Sequence, residues 1–100
     1  MIIPGTTPKH NFILPCGVNE IQKVEITYKQ NGKVILQKHT EDCTLQDNVV
    51  SLKLTQEDTL AFDDKLNVRI RMRAKTISGD VIGSDAISVS CDECFSDEVL

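Results

Sequence analysis

Residues 65–75 read Lys-Leu-Asn-Val-Arg-Ile-Arg-Met-Arg-Ala-Lys, and apolar and polar residues alternate through the whole stretch. The apolar set is Leu66, Val68, Ile70, Met72 and Ala74. Side chains along a β-strand point to opposite faces in turn, so the alternation predicts a strand with one buried and one solvated face. The solvated face carries five of the eleven lysines and arginines. The stretch therefore predicts a sheet with a cationic surface, but it indicates no reaction.

Apolar residues also alternate in four shorter stretches, each of which predicts a half-buried strand. These stretches are Phe12–Cys16, Val24–Tyr28, Val50–Leu54 and Ile87–Cys91. Asn31-Gly32 suits a type I′ turn, in which both central residues have positive φ, and it predicts a tight hairpin of 20–30 with 33–38. Ser78-Gly79-Asp80 predicts a second hairpin, which pairs the opening strand with 81–91.

These elements predict an all-β fold, a small antiparallel β-sandwich of about six to seven strands. The only helical signal is Thr55 followed three residues later by Asp58, which predicts one capped helical turn near 55–60. One hundred residues suffice for one small domain. We assign 1–8 to an extended N-terminal arm, 9–91 to the β-domain and 92–100 to an acidic C-terminal tail.

Residues 52–62, Leu-Lys-Leu-Thr-Gln-Glu-Asp-Thr-Leu-Ala-Phe, carry a first resemblance. They resemble the strand, Glu-Asp-Thr turn and aromatic residue that cross between the sheets of immunoglobulin variable domains. The resemblance implies an immunoglobulin-like sandwich. The chain departs from antibody domains because it has no Trp and no cysteine just after Phe62. The strand order is therefore left open.

Charge and hydropathy exclude several classes of partner. A net charge of −4 argues against nucleic-acid binding, because nucleic-acid-binding domains are usually basic overall. No apolar run is long enough to span a bilayer, so we expect no membrane partner. Near Met1 no basic residue precedes a hydrophobic stretch, so we expect no secretory signal and residence in a cytoplasm.

The four cysteines, Cys16, Cys43, Cys91 and Cys94, leave three interpretations open. The spacing of Cys91 and Cys94 suits two thiolates on one zinc ion, with Cys16 and Cys43 as further ligands, or a redox disulfide. Alternatively, Cys16 and Cys91 continue the apolar faces of their strands as small buried residues. We favour inert thiols and expect no metal and no cofactor.

No residue pattern indicates catalysis. His10 and His39 lie in no recognisable nucleophile motif, although Cys-His pairs can meet in a fold from distant positions. The five glycines are scattered, so no phosphate-binding loop is present. We therefore expect a protein that is not an enzyme and has no small-molecule substrate.

Arg69, Arg71 and Arg73 are the candidate functional residues. Alternate residues of a strand lie about 6.6 to 7 Å apart, so three guanidinium groups on one face suit phosphates or a partner's carboxylates. Acids on neighbouring strands, such as Glu25, are the alternative partners, in cross-strand pairs of small energy. No aromatic residue alternates with the arginines, which argues against base stacking. We predict a protein-binding role for the three arginines.

The chain as a whole resembles short, uncharacterised proteins encoded by phages and prophages of Gram-positive bacteria. The resemblance rests on 5–15, Gly-Thr-Thr-Pro-Lys-His-Asn-Phe-Ile-Leu-Pro, on 26–30, Ile-Thr-Tyr-Lys-Gln, and on 54–62, Leu-Thr-Gln-Glu-Asp-Thr-Leu-Ala-Phe. It implies a structural or interaction module associated with virion genes of the tail or baseplate. Its partners would be other phage structural proteins or further copies of itself, in the host cytoplasm or in the virion after assembly. The alternative is a small regulator that binds a host factor in the infected cell.

Overall fold

The computed structural model describes all residues, 1–100. The chain forms eight β-strands. The strands are β1 (Lys9–Ile13), β2 (Ile21–Gln30), β3 (Lys33–His39), β4 (Cys43–Gln46), β5 (Val49–Lys53), β6 (Val68–Thr76), β7 (Val81–Gly83) and β8 (Ile87–Val89). One α-helix, α1 (Gln56–Leu60), lies between β5 and β6. Two 3-10 turns cover Val18–Glu20 and Thr40–Asp42.

The strands form two antiparallel sheets. The first has the order β1-β5-β4, and the second has the order β3-β2-β6-β7, with β8 also pairing with β6. The two orders correspond to B-E-D and C′-C-F-G of an immunoglobulin variable-type sandwich. The predicted antiparallel all-β fold is confirmed. The two-residue turn that keeps β2 and β3 in one sheet occupies the C-C′ position of this order.

The core lies between the two sheets and consists of one cluster of fifteen buried residues. The central strand β6 contributes Val68, Ile70, Met72 and Ala74, none more than 4% exposed, as the alternation predicts. Leu66 is an exception, because it is 36% exposed and precedes the strand. Asp63 explains the later start, since its carboxylate and its carbonyl oxygen accept hydrogen bonds from the amides of Lys65 and Leu66 and form a turn.

Both predicted turns are present. Asn31 and Gly32 have φ of 51° and 76°, as a type I′ turn requires, and β2 and β3 pair directly across them. Gly79 has φ of 98° in the turn between β6 and β7. The partner of β6 differs from the predicted continuous strand 81–91, because it is divided into β7 and β8.

The division between β7 and β8 has a local cause. The Met72 amide donates to the Ser84 hydroxyl at 3.1 Å, and the Ser84 amide donates to the Met72 carbonyl oxygen at 2.9 Å. The Ser84 hydroxyl thus replaces a backbone carbonyl as the acceptor for the Met72 amide. Residues 84–86 do not continue the strand. Ile87, which the alternation predicted to lie on the buried face of this strand, is 51% exposed.

Two buried polar side chains hold connections that the hydrophobic pattern does not specify. Gln30 is 2% exposed, and its amide donates to the carbonyl oxygens of Asp63 and Leu66 and accepts from the Asp63 amide. Thr59 is fully buried, and its hydroxyl accepts from Gly5 and donates to the carbonyl oxygen of Thr6. These bonds attach the segment before β6 to β2 and the N-terminal arm to α1.

The N-terminal arm packs along the domain. Ile2 is fully buried and forms a parallel bridge with Cys91, with hydrogen bonds to Ser90 and Asp92. The acidic tail follows directly and contacts the domain through Cys94 and Leu100. No helix has the length and hydrophobicity needed to span a bilayer.

Candidate protein-docking face

The three predicted arginines lie side by side on the outer face of the five-stranded sheet. In the register of β6 with β2, Arg73 is opposite Glu25, Arg71 is opposite Thr27, and Arg69 is opposite Lys29. All three arginines are exposed, whereas the residues between them are buried. The pleat of β6 therefore separates core side chains from cationic side chains. We call the outer surface formed by Lys29, Arg69, Arg71 and Arg73 the cationic face.

Only one cation of this face has an acidic partner. Arg73 donates from Nη2 to Glu25 Oε1 at 2.9 Å and from Nε to the same oxygen at 3.2 Å. Lys29, Arg69 and Arg71 take part in no ion pair and no side-chain hydrogen bond. The cross-strand pairing that was the alternative explanation of the arginines thus accounts for one of the three.

The unpaired cations surround an open recess of about 330 Å³. Its lining residues are Glu25, Thr27, Lys29, Arg69, Ile70, Arg71, Arg73 and Ala86. Ala86 lines the recess from the segment that separates β7 from β8. The recess therefore combines a cationic rim with a small apolar contribution, and no aromatic side chain lines it.

Like charges face each other at one end of the recess. Lys29 and Arg69 are register partners, and opposed like charges in a sheet destabilise it slightly. The sheet tolerates this cost because both side chains are exposed and can extend into water. A carboxylate or phosphate bound between the two cations would attract both and offset their repulsion. The pair therefore favours an anionic partner.

The four cysteines do not come together. All four are free thiols and partly buried. Among the His, Cys, Asp and Glu side chains, the one group of three or more that could hold a metal is His39, Glu41 and Asp42, which contains no cysteine. These three residues are exposed, and Asp42 accepts a hydrogen bond from the His39 amide as part of a 3-10 turn.

The environments of Cys16, Cys43 and Cys91 disfavour the thiolate form. Burial raises the pKa of Cys43 and Cys91, and nearby acids add to the effect, Asp42 at Cys43 and Asp64 at Cys91. Desolvation and the neighbouring Glu20 raise the pKa of Cys16. Because the thiolate is the nucleophile and the metal ligand, these thiols are held in their less reactive form.

His10 takes part in a hydrogen bond that connects the two sheets. Its Nδ1 shares a hydrogen bond of 2.7 Å with the buried Tyr28 hydroxyl, so it links β1 of one sheet to β2 of the other. Burial lowers the pKa of His10, which favours the neutral ring. His10 is partly buried.

Sequence reasoning missed two contributors to the cationic face. Lys29 belongs to it because β2 and β6 pair with Lys29 opposite Arg69. Ala86 lines the recess of this face because the partner strand of β6 is broken. The alternation of β2 could have indicated Lys29, since Glu25, Thr27 and Lys29 form its solvated face, but strand pairing was required to place it.

No protein-family model matches this chain, and no curated protein matches it.

Proposed function

We propose that this protein is a non-enzymatic interaction module of a phage or prophage, which contributes to virion assembly in the tail or baseplate through contacts with other phage structural proteins. The observation that carries the proposal is the cationic face, where Lys29, Arg69 and Arg71 lack acidic partners. The phage context rests on the resemblance of 5–15, 26–30 and 54–62. The protein would act in the host cytoplasm and remain in the virion after assembly.

A protein partner fits the cationic face better than a nucleic acid does. Glu25 lines the recess among the cations and would repel a phosphate backbone. No aromatic residue lines the recess, so bases would find no stacking surface. The net charge of −4 opposes general binding to nucleic acid. Carboxylates of a partner protein can be placed away from Glu25, and they need no stacking surface.

The strand β3 offers a second contact surface in the same sheet. It is an edge strand of seven residues, whereas the opposite edge is divided into β7 and β8. An unpaired edge can accept a strand from another protein. The N-terminal arm is less suited to docking, because Ile2 is buried in the domain.

Mass spectrometry of purified virions tests the proposal. Particles are prepared on a density gradient from phage-producing host cells that carry the gene, once with the wild-type chain and once with Arg69→Gln/Arg71→Gln. The wild-type chain should sediment with the particles, and the variant should be reduced at least tenfold at equal cellular level. Lys9→Gln/Lys53→Gln is the matched control, because it removes two facing cations from the other sheet.

The control variant should enter particles like the wild type. A wild-type chain that stays in the soluble fraction while complete particles form would contradict the proposal. Equal incorporation of the Arg69→Gln/Arg71→Gln variant would show that the cationic face is not the docking surface.

A further inference from the structure

We infer that the cationic face of one copy binds the acidic tail of a second copy, so that the protein associates head to tail. The inference deepens the proposed function and rests on its assignment of docking to the cationic face. It names the occupant of the recess as residues 92–100 of a neighbouring chain.

The acidic tail carries negative charges that complement the cationic face. It contains four acids in nine residues, Asp92, Glu93, Asp97 and Glu98. It also exposes large apolar side chains, since Phe95 is 91% exposed and Leu100 is 99% exposed. Each acid is exposed and none takes part in an ion pair. The tail is therefore an acidic and apolar segment, and most of its side chains are exposed and unpaired.

The tail is held at two points on its own domain. The Cys94 amide donates to Asp64 Oδ2 at 2.9 Å. The Leu100 amide donates to Gln56 Oε1 at 2.7 Å, and Gln56 Nε2 donates to the Leu100 carbonyl oxygen at 3.2 Å. All three bonds use the tail backbone, so they order the segment and leave its acidic and large apolar side chains exposed to solvent. A second protein can then bind the side chains without first releasing the tail.

This attachment favours a second copy over the same chain as the partner. Asp97 and Glu98 lie between the two points of attachment, Cys94 and Leu100. In this attached position neither acid forms an ion pair with a cation of its own chain. The face of another copy can approach the tail where it lies.

The charges of the two surfaces are complementary. Lys29, Arg69 and Arg71 provide three unpaired cations around the recess, and the tail carries four unpaired carboxylates. Arginine and carboxylate form charge-assisted hydrogen bonds. Ala86, which lines the recess, offers an apolar contact for Phe95. Binding would also relieve the repulsion between Lys29 and Arg69.

Such an interface joins two different surfaces and leaves one of each kind free on the resulting pair. Interfaces of this type extend into closed rings or open filaments. Either product suits a module that builds part of a larger particle. The association should weaken with salt, because the contacts are largely between exposed charges.

Sedimentation velocity over a series of protein concentrations tests the inference by charge reversal. The wild-type chain should form larger species as concentration rises and lose them in 0.5 M salt. The face-reversed variant Arg69→Glu/Arg71→Glu and the tail-reversed variant Asp97→Lys/Glu98→Lys should each remain monomeric. An equimolar mixture of the two should associate again, because each then offers a surface complementary to the other. The chain with all four changes should also self-associate.

The control variant is Lys9→Glu/Lys53→Glu, which changes the other sheet and should associate like the wild type. Thermal unfolding of each variant tests whether it is folded. A wild-type chain that is monomeric at every concentration, or a mixture that fails to associate, would overturn head-to-tail association. If that wild-type chain still enters virions through Arg69 and Arg71, the proposed function stands and only the second copy as partner is refuted. Self-association of a chain that never enters virions would refute the proposed function alone.

Discussion

The two faces of β6 have the same backbone and opposite roles. Val68, Ile70, Met72 and Ala74 point inward and are no more than 4% exposed, whereas the alternate residues Arg69, Arg71 and Arg73 point outward into solvent. The inward set contacts both sheets and defines the core. The outward set makes one ion pair, between Arg73 and Glu25. One face of β6 therefore specifies the fold, and the other is exposed to solvent and makes few contacts.

The largest effect is expected from breaking the inner face. Ile70→Ala should lower the free energy of unfolding by about 3 kcal/mol, because it removes buried methyl groups and leaves a cavity in the core. Urea unfolding followed by circular dichroism measures the change. Arg71→Ala is the matched control on the same strand and should change the free energy by less than about 0.5 kcal/mol. Similar losses for both variants would show that the two faces do not differ as described.

The next effect concerns the segment that leads into β6. Gln30→Met keeps the side-chain size but removes three hydrogen bonds to the backbone of Asp63 and Leu66. The backbone groups of Asp63 and Leu66 that face the buried Gln30 would lose their partners, so the free energy of unfolding should fall by about 2 kcal/mol. Gln37→Met on the exposed part of β3 should be nearly neutral in the same urea experiment. An unchanged stability of Gln30→Met would mean that these bonds do not fix the start of β6.

A smaller effect is expected at the helix cap. Asp58 and Thr55 form a reciprocal capping box, and Asp58 also pairs with Lys38 at 3.0 Å. Partial burial raises the pKa of Asp58, but hydrogen bonds from Thr55 and the Lys38 ammonium outweigh it and hold the pKa below its ordinary value. Asp58→Asn should therefore lower the free energy of unfolding at pH 7 by about 1 kcal/mol.

The pH dependence of this effect has a definite sign. Because the folded pKa of Asp58 is depressed, the carboxylate stabilises the fold above its unfolded pKa, and this contribution disappears as pH falls through the folded pKa. The difference between wild type and Asp58→Asn should thus be largest near neutral pH and vanish in strong acid. Thermal unfolding across this range measures it. A difference that grows toward acid would contradict the assignment.

The sequence predicted those features that depend on local periodicity and turn chemistry. The buried set of β6 follows from a period of two, the hairpin of β2 and β3 from Asn31-Gly32, and the capped α1 from Thr55 and Asp58. Strand order could not be predicted in this way, because it depends on contacts between distant segments. The exact partner of β6 also escaped prediction, since Ser84 replaces one ladder bond by a side-chain bond.

The candidate site shows the same limit. The alternation placed Arg69, Arg71 and Arg73 on one face, but it could not show that Arg73 alone has an acidic partner. Nor could it place Lys29 beside Arg69, which requires the register of β2 with β6. Gln30 is a useful exception, since it continues the buried face of Val24, Ile26 and Tyr28, and a polar residue on such a face signals a satisfied internal hydrogen-bond network.

The smallest expected effect on stability provides the most direct test of the difference between the two faces. Urea unfolding of Arg69→Gln/Arg71→Gln/Arg73→Gln should give a free energy of unfolding within about 0.5 kcal/mol of the wild type. The lost Arg73–Glu25 pair is exposed and contributes little, and removal of the repulsion between Lys29 and Arg69 offsets part of that loss. A loss as large as that of Ile70→Ala would contradict the account, because the arginines would then be needed for folding.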